Sequence, residues 1–203
     1  MESNSPSDTQ PRAVHPFRLY FGCGLALLVF PFVLLFLVAL IAPSTWESRA
    51  SQRVAASPAE VHAYLEDPRH WESWFRPGAG DGPLPVTYTF EGAERGDGAV
   101  IRWRSEVESI GNGTITIRAS DPPRSLGYEV AMDERAVTAE GTIELAVVDG
   151  GTMVTIVDRG TLPFPGGLYA WIVARGVEQR LGENLSSLKR VFARGEAGSP
   201  AGD

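Results

Sequence analysis

The sequence predicts an α+β domain, a curved antiparallel sheet wrapped around one long C-terminal helix, preceded by a single transmembrane helix. Three observations carry this reading. Residues 19–42 contain no charged side chain. Between about Val86 and Val147 the hydrophobic pattern has a period of two in five successive runs, and a sixth run, near Thr152 to Asp158, is apolar on both faces. Near the C-terminus the apolar residues Leu181, Leu185, Leu188 and Phe192 recur at helical spacing.

Taken in order, residues 1–18 are rich in Ser, Pro and small polar residues and read as a disordered tail. The 24 residues from Leu19 to Ala42 would rise about 36 Å as a helix, enough to cross a hydrocarbon core of about 30 Å with some tilt. Leu40-Ile41-Ala42 followed by Pro43 lacks the small-residue pattern of a cleavage site, and Cys23 precedes most of the apolar run, so neither a cleaved nor a lipoprotein signal fits. Tyr20 and Trp46 flank the run as interfacial aromatics do. The segment reads as an uncleaved single-pass anchor in the cell membrane, against a buried helix as the alternative. Arg12 and Arg18 before it balance Arg49 and Arg53 after it. The closeness of Arg18 and the terminal amine lean the domain toward the outside of the cytoplasm. Residues 43–47 are a short linker.

The domain itself is expected over 48–195, with 196–203 a disordered tail. Ser57-Pro58-Ala59-Glu60 combines an N-cap, a first-turn proline and a capping box, and so starts a helix that ends near Asp67-Pro68. Trp71, Trp74 and Phe75 then share one face of a second short helix, which Pro77-Gly78 ends. Six strands follow: Val86/Tyr88/Phe90; Ala99/Ile101/Trp103/Ser105/Val107; Ile115/Ile117; Leu126/Tyr128/Val130/Met132; Ile143/Leu145/Val147; and a run from Thr152 to Asp158 whose phase the pattern does not settle. Gly111-Asn112-Gly113 and Asp149-Gly150-Gly151 supply tight turns. A helix from about Gly167 to Arg194 closes the chain. One strand, two short helices, a six-strand meander and a long helix make a helix-grip arrangement.

Composition narrows the function. The acidic excess, 25 Asp+Glu against 18 Lys+Arg, lies wholly after the apolar run, because Glu2 and Asp8 cancel Arg12 and Arg18. A domain of that charge without a basic run is a poor nucleic-acid partner. One cysteine allows no intrachain disulfide and no cysteine-based zinc site. His15, His62 and His70 share no metal-ligand spacing and read as surface residues. No nucleophile elbow, P-loop or dinucleotide fingerprint occurs, so no cofactor is implied. The Gly78-Ala79-Gly80-Asp81-Gly82 run reads as a loop, either a plain connector or the rim of a cavity.

Ala56-Ser57-Pro58-Ala59-Glu60-Val61, Trp71-Glu72-Ser73-Trp74, Gly151-Thr152-Met153-Val154-Thr155 and Glu183-Asn184-Leu185-Ser186-Ser187-Leu188-Lys189, in that order, resemble the SRPBCC superfamily. Within it the match is to the polyketide cyclase/dehydrase and START-like lipid-transport group, over about residues 48–195. The resemblance implies a cavity between sheet and helix that takes a hydrophobic small molecule or lipid. It implies no particular reaction, because binders, transfer proteins and enzymes share such folds. Where members often carry an aromatic and then an apolar residue on the last strand, this chain has Ile156 and Asp158.

The expected ligand-binding set is therefore Trp74, Phe75, Trp103, Ser105, Tyr128, Met132, Asp158 and Trp171, which read equally well as core. Asp158 and Tyr128 are the acid–base candidates. An inward Asp158 beside Ser105 and Tyr128 would have a raised pKa. An outward one would be a solvated carboxylate paired with Arg159 or Arg102. Three functions stay open: a membrane-anchored binding module for a hydrophobic or lipid-like ligand, a cyclase- or dehydrase-like enzyme using a cavity carboxylate, and an anchored accessory domain whose interior is filled by its own side chains.

Overall fold

As a computed structural model, the structure describes residues 16–77, 85–108, 110–132 and 137–195, with side chains from residue 29 onward except that of Val137. The expected tails, apart from residues 16–18, and the Gly78–Gly82 loop lie outside the described residues. The chain divides into two compact units, Met1–Ile41 and Ala42–Asp203.

The first unit holds α1 (Pro16–Ile41), with Pro31 inside it. Its large apolar side chains from Val29 to Ile41 are exposed. Among the described residues no helix is long and apolar enough to cross a membrane. The structure therefore lends no support of its own to the expected span over 19–42, where side chains are described only from residue 29.

The second unit begins with β1 (Thr45–Val54). Helix α2 (Pro58–Leu65) starts where the capping box predicts: Ser57 Oγ accepts from the Glu60 N–H at 3.3 Å, and the Ser57 N–H donates to Glu60 Oε2 at 2.8 Å. A single 3₁₀ turn, Pro68–His70, leads into the short α3 (Trp71–Trp74). Six strands follow: β2 (Thr87–Gly92), β3 (Ala99–Arg104), β4 (Gly113–Asp121), β5 (Ser125–Met132), β6 (Val137–Val148) and β7 (Gly151–Thr161). All pairings are antiparallel, in the order β1-β7-β6-β5-β4-β3-β2. The meander thus returns β7 to lie beside β1, and α4 (Ala170–Arg194) packs against β1, β7 and α3. Gly195 ends α4 with φ +74°, a left-handed conformation that glycine adopts without a Cβ penalty.

One face of the sheet is dry. Val54, Ile101, Ile115, Ile117, Leu126, Ile143, Val154 and Ile156 are buried from the sheet side, and Leu181, Leu185, Leu188 and Val191 from α4. The alternation predicted from sequence sets this face in β3 to β6; in β7, whose phase the sequence pattern does not settle, Thr152, Val154, Ile156 and Asp158 point inward. A register shift between Ile117 and Ala119 interrupts the β4–β5 pairing. Beyond it Ser120 donates to Glu66 Oε1 and lies 3.3 Å from His62 Nε2. His62 is therefore not a surface residue: it is buried, with Nε2 also 3.1 Å from the Ser125 carbonyl.

Trp171 corrects a second expectation. It is 65% exposed, whereas the apolar stripe predicted for this helix should have carried it inward. Ten residues before Leu181, it is rotated about 80° off the buried seam at about 100° per residue, enough to clear the sheet. Replacing Leu185 by Ala in fragment 44–203 should cost about 2–5 kcal/mol in urea unfolding. Trp171→Ala should change stability by no more than about 0.5 kcal/mol, and a larger loss would place its indole in the core.

Candidate functional site

Register brings Ser48, Asp158, Gly141, Tyr128 and Ile117 into one row across β1, β7, β6, β5 and β4. Side chains in such a row share a face, so Tyr128 and Asp158 flank the bare backbone of Gly141. A Cβ there would run into the Tyr128 ring and come within 2.6 Å of Asp158 Oδ1. Without it, Tyr128 lies across β6 and its hydroxyl donates to Asp158 Oδ1 at 2.6 Å, a charge-assisted length. The Tyr128 ring also meets Trp71 edge to face at 5.5 Å.

The electrostatics follow from burial. Loss of water pushes the Asp158 carboxyl up to about 6, against the opposing pull of the Tyr128 hydrogen bond and the Arg180 charge. Burial and the adjacent carboxylate hold the Tyr128 hydroxyl well above its ordinary range. Near neutral pH, Tyr128 is a donor and Asp158 mostly an ionised acceptor that can take a proton at modest cost.

Asp158 opens onto a cavity of about 530 Å³ between the sheet and the first half of α4. Trp46, Phe75 and Trp103 give it aromatic walls, and Val130, Met132 and Leu162 aliphatic ones. Val173, Gly176, Val177, Arg180, Leu181 and Asn184 line it from α4, at the spacing of one helical face. Among the described residues that line it, the one carboxylate is Asp158, from the sheet, and the one guanidinium is Arg180, from the helix. Asn184 is buried, and its Oδ1 accepts the Arg76 N–H at 3.0 Å, tying the chain after α3 to α4. Among the described residues, the buried Trp46 and Trp103 indole N–H groups have no hydrogen-bond partner. Such a cavity has the size and mixed lining of a small-molecule site. Among the described residues, no group of three His, Cys, Asp or Glu side chains could hold a metal ion.

Of the expected site residues, Phe75, Trp103, Met132 and Asp158 line this cavity, and Tyr128 joins them through Asp158. Trp74 is buried against Trp71 and Phe75 in the core but does not line it. Ser105 falls outside, because β3 ends at Arg104: its hydroxyl donates to the Pro85 carbonyl and its N–H to Asn112 Oδ1. Trp171 faces solvent. Arg159 and Arg102 pair with Glu47 and Glu91 rather than with Asp158. Sequence reasoning missed Trp46, Arg180 and Asn184. The Val173, Val177, Arg180, Asn184 spacing carried the signal for the last two. As an interfacial aromatic Trp46 would belong to the membrane flank, but its parity with Ser48 and Ala50 puts it on the inner face.

A family model, "Polyketide cyclase / dehydrase and lipid transport", matches residues 45–193. No curated protein sequence compared with this chain matches it. The fold is similar to that of the di-domain ARO/CYC protein BexL from the BE-7585A biosynthetic pathway, at 12% identity and TM-score 0.57, over 75% of this chain and 52% of that one. An uncharacterised protein from Rhizobium leguminosarum is similar at 15% identity and TM-score 0.55, over 74% and 95%. So is Ara h 8.0201, at 14% identity and TM-score 0.52, over 74% and 99%. At these identities the likeness concerns the fold.

The buried carboxyl gives stability a defined pH dependence. Its pKa is about 6 folded against an ordinary 3.8, so the folded state holds a proton that the unfolded chain releases. The contribution is complete below about pH 4 and is lost as pH rises through about 6, a fall of roughly 3 kcal/mol for two units. Asp158→Asn should remove that fall. Urea midpoints of fragment 44–203 and the variant between pH 4 and 8 check this, and parallel curves would show that Asp158 is not buried as an acid.

Proposed function

The chain belongs to the polyketide cyclase / dehydrase and lipid transport family, and from that premise we propose that it is a membrane-anchored binding module holding a hydrophobic small molecule or lipid in the cavity between sheet and helix. The cavity itself carries the reading. About 530 Å³ of space is walled mainly by Trp, Phe, Val, Leu and Met side chains, which a packed interior would have filled. Asp158 and Arg180 on opposite walls would orient a ligand through its polar end, and the apolar walls would take its body. An acidic, cavity-bearing domain suits such a ligand better than nucleic acid.

Anchoring rests on the sequence: the uncharged run over 19–42 is long enough to span a bilayer. In this proposal the domain lies outside the cytoplasm, a lean that the closeness of Arg18 to the run supports against an otherwise even count of flanking arginines.

A second reading has its own support. Tyr128 and Asp158 form a buried donor–acceptor pair at the cavity wall, with the carboxyl near 6, suited to moving a proton in a cyclase- or dehydrase-like reaction. In that case Asp158→Asn abolishes turnover while a ligand still binds; for a binder the same variant shifts affinity alone.

Two outcomes test the main proposal. A fluorescent fatty-acyl or polycyclic probe should bind fragment 44–203, and Val177→Trp, which fills the cavity from α4, should weaken it at least tenfold with an unchanged urea midpoint, a loss of about 1.4 kcal/mol of binding. Failure of every apolar probe, with Val177→Trp unfolding the fragment, would leave the accessory-domain reading. Separately, the full chain should stay with membranes through alkaline carbonate extraction and fragment 44–203 should not; a full chain released by carbonate has no anchor.

A further inference from the structure

Among the described residues after Ala42, the exposed large apolar side chains are Phe90, Val107, Val147, Phe164, Tyr169, Trp171 and Ile172. The first three are scattered, on β2, in the β3–β4 connection and on β6. The other four fall within nine consecutive residues, across the β7–α4 connection and the first turn of α4. Their exposures run from 37% for Tyr169 to 65% for Trp171. Scattered apolar residues on a surface need no explanation, but a concentration at one corner does.

Two features of this corner say what covers it. Tyr169, with Pro163 and Leu162 from the same connection, lines the cavity, so the apolar corner is also its lip. The chain enters the domain here as well. The Leu162 N–H donates to the Ser44 carbonyl at 2.9 Å, and Thr45 pairs with Thr161. A Cβ on Gly167 would collide with the Ala42 backbone, its carbonyl carbon 2.8 Å away. The last residue of the uncharged 19–42 run thus packs against the segment that carries Phe164 and Tyr169. Along α4 the exposed apolar character then stops: Arg175, Glu178 and Gln179 are the next exposed side chains with length. Aromatic residues at a water–hydrocarbon boundary, followed one turn on by an arginine, match the grading of a bilayer interface.

We propose that Phe164, Tyr169, Trp171 and Ile172 form a shallow insertion surface that seats the cavity mouth directly on a lipid bilayer. The proposal deepens the binding function above and rests on its membrane reading. It names the bilayer as the ligand's immediate source, with the mouth opening into the headgroup layer instead of into water. Insertion is apolar: the second unit is acidic overall and the patch contributes no basic cluster, so binding depends little on anionic lipid.

The test uses the full chain in phosphatidylcholine liposomes, with Cys23→Ser and one new cysteine carrying an environment-sensitive nitrobenzoxadiazole label, either Ile172→Cys or, at the far β6–β7 turn, Asp149→Cys. The label at position 172 should emit bluer and brighter than the one at 149 and lose intensity to a spin-labelled phosphatidylcholine, while the 149 label stays water-like. Adding Phe164→Glu and Trp171→Glu, both exposed, should abolish the blue shift without changing the far-ultraviolet circular dichroism or the thermal midpoint. Flotation of the liposomes reads the anchor separately. A chain that floats while its two labels behave alike keeps the anchor and overturns the insertion surface. A blue shift at 172 that lipid-borne spin label does not quench assigns the patch to a second copy of the chain and also overturns it. Failure to float, with a water-like label at 172, overturns the anchor and the insertion surface together.

Discussion

A large ring can lie flat on a sheet only where the facing strand residue has no Cβ, and among the described residues this domain meets that condition three times on its inner face. Trp46 is paired with Gly160, Tyr128 with Gly141 and Trp103 with Gly113. A Cβ on Gly160 would stand 2.7 Å from the Trp46 ring, and one on Gly113 would meet both the Trp103 ring and the Ala131 carbonyl, the latter at 2.7 Å. With glycine beneath them, the rings fold sideways over the neighbouring strand and do not stand upright toward α4. Upright, three rings of this size would fill the space between the layers. Laid down, they line it.

The same constraint produces the polar centre. Tyr128 can reach Asp158 only because it crosses Gly141, and Asp158 can stay buried only because something donates to it. An isolated carboxylate taken from water would cost several kcal/mol. Here one hydrogen bond and the charge of Arg180 offset part of that cost, and the remainder shows as the rise of the carboxyl to about 6. A hydrophobic residue at position 158 would pack without such a penalty. The cost is retained at the wall of a cavity, which supports the orienting role proposed for Asp158.

How much of this was legible in the sequence follows the range of the interactions. The capping box of α2, the order of elements and the inner faces of β3 to β6 depend on neighbours two to four residues away, and the periodicities showed them. The phase of β7 did not show, because Ile156, Val157 and Asp158 are all buried and a run apolar on both faces has no period of two. It is set by pairing with β1 and β6, more than ten residues distant along the chain for most positions. Ser105 was misplaced by extending an alternation past the end of β3, and Trp171 by extending a helical stripe into a turn with no sheet beneath it. The glycines opposite Trp46, Tyr128 and Trp103 are visible in the sequence, but their meaning needs the register.

Helix α4 divides the space by residue size. From Leu181 to Val191 its inner face carries three leucines and a valine that close on the sheet as core. From Val173 to Val177 the residues lining the cavity are Val, Gly and Val, with Gly176 at its exposed rim, where a Cβ would meet nothing within 4 Å. The helix does not collapse into this gap. Ser48 Oγ donates to the Ala174 carbonyl at 2.6 Å, which ties the thin end of α4 to β1. Asn184 does the same for the other end of the cavity through the Arg76 N–H. A void forfeits the dispersion contacts its lining would otherwise make, so a helix free to settle would reduce it. Two polar ties on one helix, at Ala174 and at Asn184 and reaching different partners, hold it at the distance that keeps the cavity open. The position of α4 is then fixed by directional bonds at the cavity and by apolar burial beyond it. Apart from Leu181, which belongs to both, the cavity lining on α4 can therefore vary without the core having to vary with it.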